Sequence, residues 1–227
     1  MAVTYRALSR LLSYPEASLQ AEARLCAEAI ISEGLVPDRI SGSLGKLAEY
    51  VADGDLYELQ AAYVDLFDRT RSVSLHLYEH VHGESRERGP AMVGLVELYR
   101  THGLEMDVSD LPDYLPVFLE FLSILPEAEA ASLIGEAAHV LEAISERLKK
   151  RQSNYRAVFG ALLSISDRPA DKAAVQSLLA IKDDDPSDLA ALDRAWAEEP
   201  VTFGAGDARD GCSAPQQAPA AVKAQRP

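Results

Sequence analysis

Apolar residues recur three and four positions apart along almost the whole chain, and nowhere does a two-residue alternation last long enough for a strand. That pattern confines the chain to helices packed on helices. Leu19, Ala23, Cys26 and Ile30 mark one such face, which Gly34 ends because glycine readily takes the left-handed turn past a helix. Asp38 is placed to cap a second helix bearing Ile40, Leu44, Leu47 and Val51. Asp55 and Glu58 have capping-box spacing ahead of Leu59, Tyr63 and Leu66. Pro90 suits the first turn of a helix carrying Met92, Val96 and Tyr99, ending near Gly103. Asp113 is the expected N-cap of the next, with Pro116 third in it, where no intrahelical N–H bond is lost. That helix presents Tyr114, Phe118, Phe121, Leu122 and Leu125. A long helix is expected over 127–151, with Leu133, Ala137, Leu141, Ile144 and Leu148 on one side. Its last turn gathers Arg147, Lys149, Lys150 and Arg151, the sign that complements a helix C-terminus.

Shorter helices are expected at 155–165, 170–181 and 187–198, with Trp196 as a packing anchor and the acidic run 183–188 as a solvated connection. From Gly204 the composition shifts to Ala, Gly, Pro, Gln and Asp, which cannot bury enough apolar surface to offset the entropy of ordering. The expectation is an all-α, single-domain bundle of roughly nine helices over 1–203, followed by a disordered tail over 204–227.

The formal net charge of −14 argues against nucleic acid and against an anionic membrane surface, and suits a basic partner segment. The same acidity also serves solubility. Cys26 and Cys212 lie far apart and have no zinc-type spacing; Cys26 reads as a small core residue. There is no secretory h-region, no run of about 18 apolar residues and no twin-arginine signal, so a soluble cytoplasmic protein without stable membrane insertion is expected. Phosphate loops of the G-x-x-x-x-G-K-[ST] type, G-x-G-x-x-G and the G-x-S-x-G elbow are all missing from the sequence.

Chemistry concentrates in 74–89, where His76, His80 and His82 stand with Glu79, Glu84, Arg86 and Arg88. His76-Leu-Tyr-Glu79-His80 spells H-x-x-E-H, which on a helix would set two zinc ligands beside a glutamate base and so admits a zinc-dependent hydrolase. Zinc needs a third protein ligand, which the stretch does not supply. The alternative is a mutually satisfied polar cluster that fixes a helix–loop junction, or a recognition surface. Histidines titrating near pH 6.5 would make a recognition surface pH-sensitive between about pH 6 and 7.5.

Tyr63-x-x-Leu66-Phe67, Ser74-Leu-His-Leu-Tyr-Glu-His-Val-His-Gly-Glu-Ser-Arg86, Asp110-Leu-Pro-Asp-Tyr-Leu-Pro-Val-Phe-Leu-Glu-Phe-Leu122 and Asp193-Arg-Ala-Trp-Ala-Glu-Glu-Pro-Val-Thr-Phe-Gly204 occur in that order. Together they resemble the NarJ-type assembly chaperones of respiratory nitrate reductase, a branch of the TorD-like molybdoenzyme chaperones. The wider family's acidic-Pro-x-Asp-His element is represented here only by Leu111-Pro-Asp-Tyr114, without the His. The resemblance implies a TorD-like helical fold and a non-catalytic chaperone that keeps no cofactor of its own. Its implied client is the apo catalytic subunit of a respiratory nitrate reductase, recognised through a basic amphipathic N-terminal segment and kept open for molybdenum cofactor insertion. Enzymes of molybdenum cofactor synthesis are further implied partners, and a TorD-like chaperone for another molybdoenzyme is the related alternative. Client-binding candidates are Tyr63, Leu66, Phe67, His76, Glu79, His80, His82, Glu84, Asp113, Tyr114, Phe118 and Glu120. Spacing alone makes the aromatic members either core or the floor of an apolar trench, with Asp65, Asp68, Glu79, Asp113 and Glu120 as an acidic rim.

Overall fold

A computed structural model describes residues 2–83, 85–106 and 110–181. The chain divides into units 1–188 and 189–227, and everything described belongs to the first. The helix expected at 187–198, Trp196, Cys212, the acidic run 183–188, the Glu198–Gly204 element and the 203/204 boundary fall outside the described residues.

Among the described residues ten α-helices run in order: α1 (Val3–Leu12), α2 (Ala17–Glu33), α3 (Asp38–Asp53), α4 (Leu56–Tyr63), α5 (Leu77–His82), α6 (Arg88–Thr101), α7 (Leu115–Leu122), α8 (Glu127–Lys150), α9 (Arg156–Ile165) and α10 (Lys172–Ala180). A π-helical turn, Val64–Asp68, continues α4, and a 3-10 turn spans Arg71–Val73. There is no strand among the described residues; a single antiparallel bridge joins His76 and Tyr114. The fold is thus all-α, as the periodicity requires.

The expected apolar faces are buried in their main part, although Ile40, Leu133 and Ala137, and Met92 and Val96 of α6, are only partly covered. Leu19, Ala23 and Ile30 of α2, Leu44, Leu47 and Val51 of α3, and Leu141, Ile144 and Leu148 of α8 join one core. Cys26 is only half-buried at its edge. Gly34 ends α2 at φ 76°, a left-handed conformation that costs glycine little. Asp55 caps α4, its Oδ1 accepting from Tyr57 and Glu58 backbone N–H groups at 3.0 and 3.1 Å.

Three details depart from expectation. Helix α1 was not anticipated from the periodic pattern, yet it is central. Tyr5, Leu8, Leu11 and Leu12 are fully buried where α1 packs on α2 and α7. Four such side chains contribute roughly 1.5–3 kcal/mol each on burial. Its first N–H groups are capped from the far end of α2, where the Glu33 carboxylate accepts from Val3 and Thr4 at 2.9 and 2.6 Å. Second, Asp38 is the first residue of α3 rather than its cap, which is Pro37. Third, Arg147 is not a solvated complement to the end of α8. It is buried, and its guanidinium donates to the carbonyls of Ser72, Leu178 and Ile181 at 2.8, 2.8 and 3.1 Å. The planar fork of donors suits arginine to this work. It ties the 3-10 turn and the end of α10 to α8 and so helps to fix the segment that leads into α5.

Candidate functional site

Tyr63 closes α4 and Phe67 lies in the π-helical turn; both are buried, at 3% and 4% exposure. A π turn inserts an extra residue into a helix and re-aims the side chains that follow, a device frequent at functional sites. Here it brings Phe67 against Tyr155, with ring centroids 5.2 Å apart, and leaves Tyr63 ringed by Tyr14, Phe67 and Tyr155. The Tyr63 hydroxyl donates to the carbonyl of Leu12 at 2.9 Å. Its single proton is then spent, so the Tyr114 hydroxyl, 3.1 Å away, donates to Tyr63. Burial raises the pKa of both phenols, so both stay protonated donors.

The histidine-rich segment is pinned to the Asp113–Leu115 segment by backbone pairing. Leu115 N–H donates to Leu75 at 2.8 Å and Leu77 N–H donates to Asp113 at 3.0 Å, on either side of the His76–Tyr114 bridge. Asp113 was expected to cap α7. Instead Tyr114 occupies that cap position, and the wholly buried Asp113 caps α5 from across the fold. Its backbone carbonyl takes the first N–H of α5, and its Oδ2 takes the second, from Tyr78, at 3.1 Å. A carboxylate at a helix N-terminus also meets the positive end of the macrodipole. Two basic side chains complete the arrangement. His76 Nδ1 lies 3.3 Å from Asp113 Oδ1, and Arg88 Nη2 lies 3.8 Å from Asp113 Oδ2 and 3.6 Å from Glu79 Oε1. Behind them the Tyr99 hydroxyl donates to the Pro112 carbonyl at 2.6 Å.

His80 turns inward from α5. Its Nε2 sits 2.8 Å from the Ser74 carbonyl, which only accepts, so Nε2 carries the proton. Burial pushes its pKa below the ordinary histidine value, against the smaller opposing pull of that hydrogen bond. His80 is therefore a neutral pin, while His76 stacks at 5.3 Å on Tyr114 and His82 meets Tyr78 edge-on at 5.4 Å. The three imidazoles thus have different partners and different environments.

This geometry removes the hydrolase reading. His76 is extended, at φ −87° and ψ 103°, and precedes α5, so it does not share a helical face with His80. Its Nδ1 faces Asp113, the Nε2 of His80 is occupied by Ser74, and Glu79 is paired with Arg88. Among the described residues no group of three or more His, Cys, Asp or Glu side chains is arranged to hold a metal.

The candidates thus divide. Tyr63, Phe67, Phe118 and Asp113 are buried. Leu66, His76, Glu79, His80, His82 and Tyr114 are partly exposed, and Glu120 is exposed. Glu84 lies outside the described residues. Of the expected acidic rim, Asp65 is exposed but paired with Arg69, and Asp113 faces inward. Beyond the Pro112–Tyr114 segment lies a cavity of about 230 Å³ walled by Tyr99, Val117 and Phe121, with Glu105, Asp110 and Glu120 around it. Sequence reasoning had no signal for the hydrogen bonds of Tyr99, Ser74 and Leu12, each of which uses a backbone carbonyl that the folded geometry brings to a side chain 6 to 51 positions away.

Residues 36–161 match the model of the family described as nitrate reductase delta subunit. The chain is 41% identical over 206 residues to the nitrate reductase molybdenum cofactor assembly chaperone NarJ of Escherichia coli (strain K12), covering 88% of this chain and 86% of that one. It is 31% identical over 179 residues to the probable nitrate reductase molybdenum cofactor assembly chaperone NarJ of Bacillus subtilis (strain 168), covering 77% and 96%. Among solved structures, a putative redox enzyme maturation protein from Archaeoglobus fulgidus superposes with a TM-score of 0.52 at 24% identity, over 71% of this chain and 91% of that one, and so shares the fold.

Proposed function

The chain belongs to the nitrate reductase delta subunit family, whose characterised relatives are assembly chaperones rather than enzymes, and from that premise we propose that it binds the apo catalytic subunit of a respiratory nitrate reductase. In this reading it works in the cytoplasm, engages the client's N-terminal segment, and keeps the subunit competent for molybdenum cofactor insertion before membrane assembly. Enzymes of molybdenum cofactor synthesis are its further partners. No described helix is long and apolar enough to cross a membrane.

The observation that carries this most is the extent of the family match, which takes in every candidate from Tyr63 to Glu120. The geometry adds a physical rationale. His76, Glu79, His82 and Tyr114 sit partly open on a segment whose backbone is pinned on both sides, so little ordering is needed on binding. Apolar side chains of an amphipathic helix would seat in the cavity beside Phe121, and its Lys and Arg would face Glu105, Asp110 and Glu120. Tyr63, Phe67, Phe118 and Asp113 hold that surface in place from beneath. Release matters as much as capture, so an affinity in the micromolar to nanomolar range, about 8–12 kcal/mol, fits the task.

The test is titration calorimetry of the protein with a peptide of roughly 20 residues, a length that as one helix spans about 30 Å, from the catalytic subunit's N-terminus. A charge-matched scramble serves as control. Micromolar or tighter binding that the scramble lacks supports the reading. Binding of the apo-subunit without the peptide would move recognition elsewhere on the client, and failure of both would overturn the proposal.

A further inference from the structure

The most distinctive feature outside that surface is a basic pocket. Between α3, α9 and the turn joining α8 to α9 lies an open cavity of about 360 Å³ lined by the exposed Arg39, Lys46 and Arg156, with no carboxylate in its lining. In a chain of net charge −14 this is anomalous. Several basic side chains elsewhere stand beside acids, among them Arg10 with Glu22, Arg69 with Asp65, Arg100 with Glu97, Lys149 with Glu146 and Arg168 with Asp167. Among the described residues Arg39, Lys46 and Arg156 take part in no ion pair. Three like charges gathered without a counter-charge repel one another, and an anion bound among them relieves that repulsion.

Neutral donors stand among the cations. Ser43, Ser145 and Asn154 line the same space, and so does Ser153. The Ser153 hydroxyl already accepts from the Tyr155 N–H at 3.3 Å, which leaves its own proton free to donate. The first N–H groups of α9 are engaged, Arg156 with the Ser153 carbonyl at 3.2 Å and Ala157 with the Asn154 carbonyl at 3.1 Å. Side chains, rather than the helix terminus, would therefore hold the ligand.

An independent observation is Gly160. It lies inside α9, where glycine is a poor helix former, and its backbone conformation does not require it. A Cβ built on it meets nothing within 4 Å, so no packing neighbour demands glycine either. It lines the pocket, so a side chain placed there would reduce the pocket's open space.

We propose that this pocket binds a phosphorylated small molecule through its phosphate or diphosphate group. Arg39, Lys46 and Arg156 supply the charge, and the serine hydroxyls and Asn154 amide orient the oxygens. The volume exceeds what one phosphate fills and falls in the range of small-molecule sites.

The probe is inorganic pyrophosphate, titrated calorimetrically into the protein in a phosphate-free buffer at low ionic strength. Saturable one-site binding that weakens with salt is expected. Lys46→Gln and Arg156→Gln should each lower affinity by about tenfold or more, the effect of losing a charge-assisted hydrogen bond. Gly160→Glu, which puts a carboxylate into the pocket, should abolish binding. Gly160→Ala checks that α9 tolerates a side chain and should raise the Tm. Arg100→Gln, on a basic residue paired elsewhere, should leave affinity unchanged. No saturable binding at millimolar pyrophosphate would overturn the proposal. So would binding that survives Lys46→Gln and Arg156→Gln, or binding that Arg100→Gln weakens equally. Should Gly160→Glu unfold the protein, the two glutamine variants decide alone.

Discussion

Replacing Asp113 by alanine should cost far more than an ordinary loop substitution. The side chain is fully buried and accepts the Tyr78 N–H at 3.1 Å. Losing a hydrogen bond to a charged group costs about 1.5–3 kcal/mol. Arg88 and His76 are each partly solvated and at 3.8 and 3.3 Å, so each adds at most about 1 kcal/mol. The sum is about 1.5–5 kcal/mol. In a domain of this size each kcal/mol moves the Tm by about 2–4 °C, so a fall of about 3–20 °C is expected. Urea unfolding followed by circular dichroism measures the cost directly. Asp113→Asn keeps an acceptor for Tyr78 and removes the charge, so it should lose only about 1–2 kcal/mol. Arg88→Ala should destabilise the parent more than it destabilises the Asp113→Ala variant, because the pair is already broken there. A loss under 1 kcal/mol for Asp113→Ala would refute the remote-cap account. So would equal losses for the alanine and asparagine variants, since charge alone would then explain both.

Tyr63→Phe should cost about 1–2 kcal/mol, because it strips a buried hydrogen bond from the Leu12 carbonyl and removes the acceptor of Tyr114; a change within error in urea midpoint would contradict this. His80 is held neutral by burial, its folded pKa below the unfolded value of about 6.5. Its protonation therefore favours the unfolded chain: stability should be full above about pH 6.5 and decline as the pH falls from there toward the lower folded pKa. A His80→Gln variant should lose that part of the slope, and identical midpoint-versus-pH curves between pH 5 and 7.5 would exclude the mechanism. Arg147→Met keeps much of the apolar stem and abandons the Ser72, Leu178 and Ile181 carbonyls, so a loss of about 3 kcal/mol or more is expected in the same assay.

Asp113 and Tyr63 also show which parts of the fold were legible in the chain. Both were singled out from local pattern, one as a cap and one as an aromatic at helical spacing. For Asp113 the pattern identified the kind of role but attached it to the wrong helix. The residue caps α5 across 35 positions, and nothing in the four residues on either side of it encodes that partner. Tyr63 was equally consistent with core and with groove, because an apolar stripe at period 3.6 looks the same whether a neighbouring helix or a client covers it. Burial at 3% and a hydroxyl reaching a carbonyl 51 residues away place its side chain in the core. The H-x-x-E-H spacing promised a shared helical face that the extended backbone at His76 does not provide.

By itself the sequence determined the helical class, most helix spans, the buried faces of α2, α3 and α8, and the Asp55 and Gly34 boundaries. These follow from interactions between residues three or four apart and from side chains acting on their own backbone, so they are written locally. Tertiary structure alone decided that α1 sits in the core, that Asp113 and Glu33 cap helices distant in sequence, that Arg147 is buried on three carbonyls, and that Arg39, Lys46 and Arg156 share one pocket. Each of those pairings joins groups far apart along the chain, and their geometry exists only once helices have packed, because burial is what leaves a polar group dependent on the partner that packing supplies.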